Sequence, residues 1–361
     1  MVALQSALEI KEAMNLRELA QLLNLSQTTV SRALNDYPEV SEATRKKVKD
    51  AARRYDYRPN ARAQQLATGR SMAIGHVIPS SSQHEMVNVV FSDFVAGASE
   101  VYAQHGYDMV VSMVADQDEV QTYRDIAQRQ KVDGIIVHGP IQNDPRIPLL
   151  NELGIPFLVH GRSTGVESAY SWLDVNNRRA VERATSYLLD LGHRRIGLVN
   201  GFEHMDFAAR RRAGYLSALA AKGVPADPDL MTSGEMTEPN GYEAACTMLD
   251  LDEPVTAFVS SSIVPTLGIR RALEDRGLKI GSDVSVVCYD DAISALPNGD
   301  PGAPTYTATR SSVRDAGRRC AEILIERIGN PTLPHVQELW EADLVLGGST
   351  GIAATPEPVD R

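Results

Sequence analysis

A short polar run near the amino terminus carries side chains that can read the edges of DNA bases. Gln27, Thr28 and Arg32 fall on the outer side of a helix that Ser26 is expected to cap, with Val30 on its inner side. Amide, hydroxyl and guanidinium groups are those that hydrogen-bond to base edges in the major groove. We therefore expect this helix to place its outer face in the major groove of DNA.

Two further helices should hold this recognition helix in position. Asn15 and Glu18 have the spacing of a capping box that begins the first helix, a short turn at 24–26 separates it from the second, and a third begins at Ser41. The residues of the third helix expected to turn inward are Val48, Ala51, Ala52 and Tyr55. Two helices joined by a short turn, the second with a polar outer face, are typical of a helix-turn-helix. The alternative is a plain three-helix bundle with a solvated polar face.

The charge distribution favours the DNA-binding interpretation. The chain has a formal charge of −11, but residues 14–70 hold 11 Lys or Arg against 6 Asp or Glu. A basic segment on an acidic body is typical of a small domain that binds a polyanion.

A shorter helix is predicted directly after this bundle. Pro59 and Asn60 favour a helix start, and Gly69 favours its end. A helix of about two turns is marginal alone in water, so it should order only when something packs against it. Leu66 is its one large apolar residue, and such a residue can wedge between base pairs from the minor groove. The alternative is an ordinary linker.

From Arg70 onward, short apolar runs alternate with helical stretches. The runs expected to be strands are 73–79, 107–113, 133–139, 155–161, 195–200, 256–260 and 284–289. Strands separated by helices indicate parallel βαβ units, and about 280 residues is large for one doubly wound sheet. We therefore expect an α/β core of two Rossmann-like lobes that face each other across a cleft, with the change of lobe near 161–174.

Polar residues at the predicted strand ends should meet in that cleft. They are Ser80–Ser82, His84, Arg162, Asn176, Asn177, Arg210–Arg212, Ser260–Ser262, Asp290 and Asp291. An arginine fork and a carboxylate can each hold two vicinal hydroxyl groups, which is the chemistry of sugar recognition. Serine, asparagine and aspartate at strand ends also often cap helices, which is the simpler interpretation of each.

Two runs, Ser26–Asn35 and Tyr57–Ala67, carry the helix-turn-helix and the short helix at a specific separation. They resemble the headpiece and hinge helix of the LacI/GalR family of transcription regulators. The resemblance implies an all-α headpiece followed by a core similar to periplasmic binding proteins. The residues that we expect on DNA are Gln27, Thr28, Ser31, Arg32, Asn35, Asn60, Ala63, Gln64 and Leu66.

The resemblance also implies an effector site in the cleft. It puts the ligand-binding arginine at Arg211 and the carboxylate at Asp290. Ser262 stands where other members commonly have Asn or Asp, and Met236 lies near the position of a stacking aromatic residue. The full expected effector set is Ser80, His84, Arg162, Arg211, Met236, Ser262 and Asp290. The aromatic residues that can stack in place of the methionine are Trp172 and Phe207.

The expected domain organisation has five parts. They are residues 1–13, an extension that is disordered or follows from a start codon placed too early; 14–58, the helix-turn-helix domain; 59–70, the hinge helix; 71–350, the two-lobed effector-binding and dimerisation core; and 351–361, a tail. The tail has no leucine heptad, which favours a homodimer over a tetramer.

Patterns typical of other protein classes are missing. The sequence has no HExxH, GxSxG or Walker A motif and no metal-binding spacing among its 8 histidines, so we expect neither an enzyme nor a cofactor or metal. Its 3 cysteines lack CxxC spacing, and it has neither a signal-peptide pattern nor a long apolar segment. We therefore expect buried free thiols and a cytoplasmic protein that does not enter a membrane.

The expected function is that of a sequence-specific transcriptional regulator, a repressor of carbohydrate-utilisation genes. Two chains paired through their cores would bind a pseudo-palindromic operator. A small sugar in the cleft would release them, and the resemblance favours an α-glucoside. Two alternatives stay open: a regulator with a purine or nucleoside co-repressor, and a solute-binding protein for transport, which would leave the headpiece unexplained.

Overall fold

The computed structural model describes residues 14–35, 37–57, 69–79, 89–300 and 302–353. These residues form two compact units, the first ending at Ser71 and the second beginning at Met72. The expected extension 1–13, most of the expected hinge helix and the end of the tail lie outside the described residues.

Three helices form the first unit, and local capping sets where each begins. They are α1 (Leu16–Leu23), α2 (Gln27–Leu34) and α3 (Glu42–Arg54). Asn15 and Glu18 form the predicted capping box. Ser26 and Ser41 cap the next two helices, while Asn24 ends α1 in the left-handed conformation with a φ of 55°. The predicted helix-turn-helix is confirmed.

The prediction that Tyr55 belongs to the core of this unit is wrong. Tyr55 is exposed, whereas Tyr57 is buried. Helix α3 ends at Arg54, so the helical periodicity no longer applies at Tyr55, and Asp56 turns the chain back with a φ of 48°. The Tyr57 N–H then donates to the carbonyl of Ala52, and the Tyr57 side chain joins the core.

The second unit contains two sheets of six strands each. The first has the order β2 (Asp108–Val114), β1 (Ala73–Pro79), β3 (Gly134–Val137), β4 (Phe157–His160), β5 (Ser171–Val175) and β11 (Gln337–Trp340). The second has the order β7 (Met231–Ser233), β6 (Ile196–Asn200), β8 (Ala257–Ser260), β9 (Ser285–Asp290), β10 (Thr307–Arg310) and β12 (Asp343–Val345). Neighbouring strands are parallel except β10 with β12. The predicted α/β core of two Rossmann-like lobes is confirmed.

Helices cover both faces of these sheets. Within the described residues they are α4 (Val89–His105), α5 (Glu119–Gln128), α6 (Arg146–Leu153), α7 (Asn177–Asp190), α8 (Asp206–Ala221), α9 (Glu238–Leu249), α10 (Ile263–Asp275) and α11 (Val313–Gly329). Successive strand residues therefore enter different cores: Ile136 belongs to the core that includes Phe94 of α4, and Ile135 to that of Tyr123 on α5. Burial on both faces explains why the strands are continuous apolar runs.

The chain changes lobe later than predicted. Strand β5 still belongs to the first sheet, so the change falls at Asn176, the residue that caps α7, and not near 161–174. Helix α11 then returns to the core of the first lobe, and strands β11 and β12 lie in different sheets. Each lobe is thus completed by distant segments, which a local sequence pattern cannot reveal.

The three cysteines are free thiols. Cys288 and Cys320 are buried as predicted, but Cys246 is half-buried beside Arg276, whose Nη1 lies 3.2 Å from its sulfur. No helix among the described residues is long and apolar enough to cross a bilayer.

Candidate functional site

A cavity of about 180 Å³ lies between the two lobes, at the carboxyl edges of their sheets. The first lobe lines it with Val90, Phe91, Phe94, His138, Gly139, Pro140, His160, Gly161, Arg162, Asp174 and Val175. The second lobe contributes Asn177, Phe207, Arg211, Met236, Ser261, Tyr289 and Asp291. The segment that leads into α11 adds Ser311, Ser312, Val313 and Ala316.

Arg211 is fixed inside this cavity by four neighbours. It lies on α8 and is only 6% exposed. Its Nε donates to Oδ1 of Asn177 at 2.8 Å, and its Nη1 donates to the carbonyl of Ser261. The guanidinium carbon lies 3.9 Å from the ring centroid of Tyr289 and 4.9 Å from that of Phe207. A planar fork held between aromatic rings is preorganised to bind a pair of acceptor oxygens.

Asp291, and not the expected Asp290, is the member of this aspartate pair that lines the cavity. Asp290 ends β9, is buried, accepts a hydrogen bond from the Ala292 N–H at 2.8 Å and lies 3.6 Å from Arg310. Asp291 follows it and lines the cavity instead. Burial raises the pKa of Asp291 to about 7, although the Arg211 charge lowers it.

The serine that lines the cavity is Ser261, one position before the expected Ser262. Ser262 is the N-cap of α10, where its hydroxyl accepts from the Val264 N–H at 3.4 Å. Ser261 lines the cavity, and its buried Oγ has no hydrogen-bond partner among the described residues. Because side chains alternate along an extended chain, an error of one residue moves the expected group out of the site.

A charged pair from the first lobe stands in the same wall. Arg162 Nε donates to Oδ2 of Asp174 at 2.8 Å, and the Arg162 guanidinium lies 5.3 Å from the Trp172 ring. Burial raises the pKa of Asp174, while the charges of Arg210 and Arg162 lower it. Trp172 therefore supports Arg162, and the lining of the described cavity includes Phe207 and Met236 instead.

Three histidines near this wall, the buried His76 and His138 and the half-buried His160, were not predicted as site residues. His138 and His160 line the cavity, while Nδ1 of His76 lies 2.9 Å from Nε2 of His138 and Nε2 of His76 lies 3.1 Å from the Tyr102 hydroxyl. Burial lowers the pKa of His76 and of His160 to about 4, and it holds the pKa of His138 well below its usual value. These three imidazoles are therefore uncharged at neutral pH. The available signal was a His-Gly pair after an apolar strand, at both 138–139 and 160–161.

The described residues contain no group of three or more His, Cys, Asp or Glu side chains that could hold a metal ion. Ser80 and His84, expected at the effector site, lie outside the described residues. So do the expected hinge contacts Asn60, Ala63, Gln64 and Leu66.

The expected base-reading residues lie on one helix of the first unit. Gln27, Thr28 and Arg32 are exposed on α2, and their side chains make no hydrogen bond or ion pair with residues in the described part of the chain. Ser31 and Asn35 are half-buried, and the Asn35 amide donates to the Ser31 carbonyl at 2.9 Å. The exposed groups are free to bind an external partner.

Comparison with known proteins identifies both parts of the chain. Residues 15–60 match the family model for bacterial regulatory proteins of the lacI family, and residues 185–350 match a periplasmic binding protein-like domain. The HTH-type transcriptional regulator AglR of Rhizobium meliloti (strain 1021) is 44% identical over 345 residues, which cover 96% of each chain.

Solved structures agree with this assignment. The transcriptional regulator CelR in complex with cellobiose superposes with a TM-score of 0.68 at 28% identity, over 93% of this chain and 99% of that one. The lac repressor dimer bound to operator and the anti-inducer ONPF gives a TM-score of 0.77 at 26% identity, over 94% of this chain and 100% of that one. The expectation of a regulator and not an enzyme is confirmed by these relatives. The chain belongs to the LacI family of bacterial regulatory proteins.

Proposed function

We propose that this protein is a sequence-specific transcriptional repressor of carbohydrate-utilisation genes that a small sugar releases from DNA. The observation that carries the proposal is the interlobe cavity, in which the Arg211 fork and the Asp291 carboxylate stand among aromatic rings. The same chain presents an exposed face on helix α2, whose Gln27, Thr28 and Arg32 side chains make no hydrogen bond with the described residues. Ligand binding and DNA binding therefore have separate structural elements.

Helix α2 supplies the DNA contacts of this proposal. Gln27, Thr28 and Arg32 carry the groups that pair with base edges in the major groove, and Ser31 and Asn35 follow them along the same helix. The expected hinge contacts Asn60, Ala63, Gln64 and Leu66 stay predictions. A homodimer on a pseudo-palindromic operator is supported by the lac repressor, which matches this chain and was solved as a dimer on its operator.

The cavity suits a neutral sugar. Arg211 and Asp291 can bind vicinal hydroxyls, and the buried Ser261 hydroxyl has no hydrogen-bond partner among the described residues. The cavity histidines His138 and His160 are uncharged at neutral pH because burial lowers their pKa values. Aromatic rings favour the apolar faces of a pyranose. The related CelR was solved with cellobiose, a glucose disaccharide, which supports a glucoside effector. We propose a glucoside bound by Arg162, Arg211, Met236, Ser261 and Asp291, and the family resemblance favours its α form.

The proposed place of action is the cytoplasm, where the DNA is. The absence of a bilayer-spanning helix from the described residues is consistent with that location.

The test is effector-dependent binding to the DNA upstream of the protein's own gene. Binding is measured by gel shift at about 0.1 M salt with competitor DNA, which removes the non-specific electrostatic contribution. Maltose, trehalose, cellobiose and purine nucleosides are titrated in parallel. Arg32→Ala serves as the control for specific binding.

Release by an α-glucoside alone supports the proposal in full. Release by another sugar keeps the repressor and changes its effector. Tighter binding in the presence of a nucleoside would instead establish a co-repressor, and the absence of any specific shift would contradict the DNA-binding role.

A further inference from the structure

A buried carboxylate outside the cavity lining joins the two lobes. Asp206 is the first residue of α8 in the second lobe and is 1% exposed. One of its oxygens accepts a hydrogen bond from the Thr164 N–H, and the other accepts from the Thr164 hydroxyl at 3.1 Å. Thr164 lies in the first lobe, in the loop between β4 and β5. A single side chain of the second lobe is therefore bound twice to the first.

Further contacts reinforce this connection. The Asp206 N–H donates to the Pro140 carbonyl at 3.0 Å, and Ile141 pairs with Met205 in an antiparallel bridge. Arg210 donates from Nε to the Asp206 carboxylate and from Nη2 to the Thr164 hydroxyl at 3.0 Å. We call Pro140, Thr164, Asp206 and Arg210 the interlobe latch.

The interlobe latch adjoins the cavity on both sides. Pro140 lines the cavity from the first lobe, and Phe207, the residue after Asp206, lines it from the second. Nη1 of Arg210 also lies 3.6 Å from the cavity residue Asp174. Asp206 and Thr164 are not among the residues that line the described cavity, so an effector there would not need to touch them.

We propose that the interlobe latch sets the closed position of the cleft and thereby sets how tightly any effector is held. The apparent affinity of a ligand is proportional to the fraction of protein in the binding-competent state. The latch favours that state through contacts that need no ligand, and Asp206 is its positioning residue. Only the affinity measurement below rests on the proposed effector function.

Two substitutions weaken the latch without changing its shape. Thr164 and Arg210 both donate hydrogen bonds to the Asp206 carboxylate. Asp206→Asn replaces one acceptor oxygen with an NH2 group, which cannot accept from these donors. Thr164→Val removes only the hydroxyl bonds, and residue 164 is exposed enough for the change to leave the core intact. Thr247→Val is the matched control, because Thr247 is an exposed threonine whose hydroxyl donates to the Glu243 carbonyl within α9 at 2.9 Å.

The first measurement is amide hydrogen exchange of the ligand-free full-length protein. A closed latch protects the Thr164 and Asp206 amides. We expect exchange at least tenfold faster in Asp206→Asn, a smaller acceleration in Thr164→Val, and wild-type exchange in Thr247→Val. Strand β4 amides report whether the lobe itself stays folded. Unchanged exchange at residue 164 in both latch variants would overturn the proposal.

The second measurement is calorimetric titration with maltose and with cellobiose. If the latch acts through closure, weakening it raises the Kd of every sugar that binds by the same factor, at least threefold. A variant that removes a direct contact, such as Ser261→Ala, instead changes the Kd values of the two sugars by different factors. If Thr164→Val changes the Kd values of the two sugars by different factors, the closure role is contradicted. If neither maltose nor cellobiose binds the wild type, these two sugars are excluded as effectors, and the exchange result alone decides the latch.

Discussion

Arg211 shows why the charge in the cleft must be carried by a guanidinium. Two of its nitrogens bond Asn177 and Ser261, and its face lies 3.9 Å from the Tyr289 centroid. Lysine has one ammonium and cannot reproduce this geometry. We expect Arg211→Lys to raise the effector concentration needed for release from DNA roughly 10–100-fold, since a hydrogen bond to a charged group contributes about 1.5–3 kcal/mol. Fluorescence anisotropy of a labelled operator measures the release.

Arg212→Lys is the control for this substitution. Arg212 is the next residue on α8 but bonds Glu203 at 2.6 Å and is not among the residues that line the described cavity. Loss of effector-free operator binding in Arg211→Lys would show that Arg211 supports folding and not effector recognition.

Asp291 makes stability depend on pH in a defined direction. Burial raises its pKa from 3.8 to about 7 in the folded protein, so between these values the folded state holds a proton that the unfolded state has lost. Its contribution to stability therefore falls as pH rises from about 4 to about 7. Asp291→Asn stays neutral, and we expect its stability relative to wild type to rise across this window by roughly 2–4 kcal/mol. Urea unfolding at several pH values measures the difference.

The comparison of the two proteins isolates this group. The buried histidines have lowered pKa values, so their contribution changes in the opposite direction, but they are present in both proteins and cancel. Parallel stability curves for wild type and variant would mean that Asp291 titrates normally in the fold.

The candidate site could be predicted from sequence only to within one residue. Arg211 lies on a helix whose register is set by neighbouring apolar residues, and it lines the cavity. Ser262 and Asp290 are expected at strand ends, where one step along the chain exchanges the two faces, and their neighbours Ser261 and Asp291 line the cavity. The wall groups His138 and His160 depend on how strands β3 and β4 are aligned, which local patterns do not specify.

Elements bounded by local chemistry could be predicted accurately, and those completed from a distance could not. The starts of α1, α2 and α3 follow from caps within a few residues of each helix. A lobe change and not a strand was expected near 161–174, but β5 forms there and joins β4, which precedes it, and β11, which lies near the end of the core sequence. Pairing over such separations depends on the whole fold.

The approach of helix α8 to α7 is set by Gly214. A methyl group there would overlap the carbonyl oxygen of Arg178. Because α7 begins at Asn177 and α8 carries Arg211, this approach also sets the bond between those two side chains. We expect Gly214→Ala to lower the free energy of unfolding by roughly 1–3 kcal/mol and to weaken effector binding, as measured by urea unfolding and titration.

Gly329→Ala is the control, because it replaces a helical glycine with alanine at a position where the added methyl group has open space. It lies at the end of α11 with no atom within 4 Å of the position of an added methyl group. Alanine there should be neutral or slightly stabilising. Equal effects of the two substitutions would show that the α7–α8 contact is not under steric constraint.

The distribution of charge along the chain separates its two binding activities. Residues 14–70 hold 11 Lys or Arg against 6 Asp or Glu, whereas the whole chain has a formal charge of −11. Contacts with phosphates release counterions, so the affinity for DNA depends on salt. The acidic remainder repels DNA and leaves the headpiece as the region of favourable potential.

We therefore expect salt to separate operator binding from effector binding. With about six phosphate contacts, the logarithm of the operator affinity should fall with the logarithm of the salt concentration at a slope near −5. A neutral sugar that binds in the interlobe cavity releases few ions, so the corresponding slope for effector affinity should lie near zero. Anisotropy and calorimetric titrations between about 0.05 and 0.3 M salt measure the two slopes. A steep slope for the effector would indicate a charged ligand, and a flat slope for the operator would exclude a phosphate-binding headpiece.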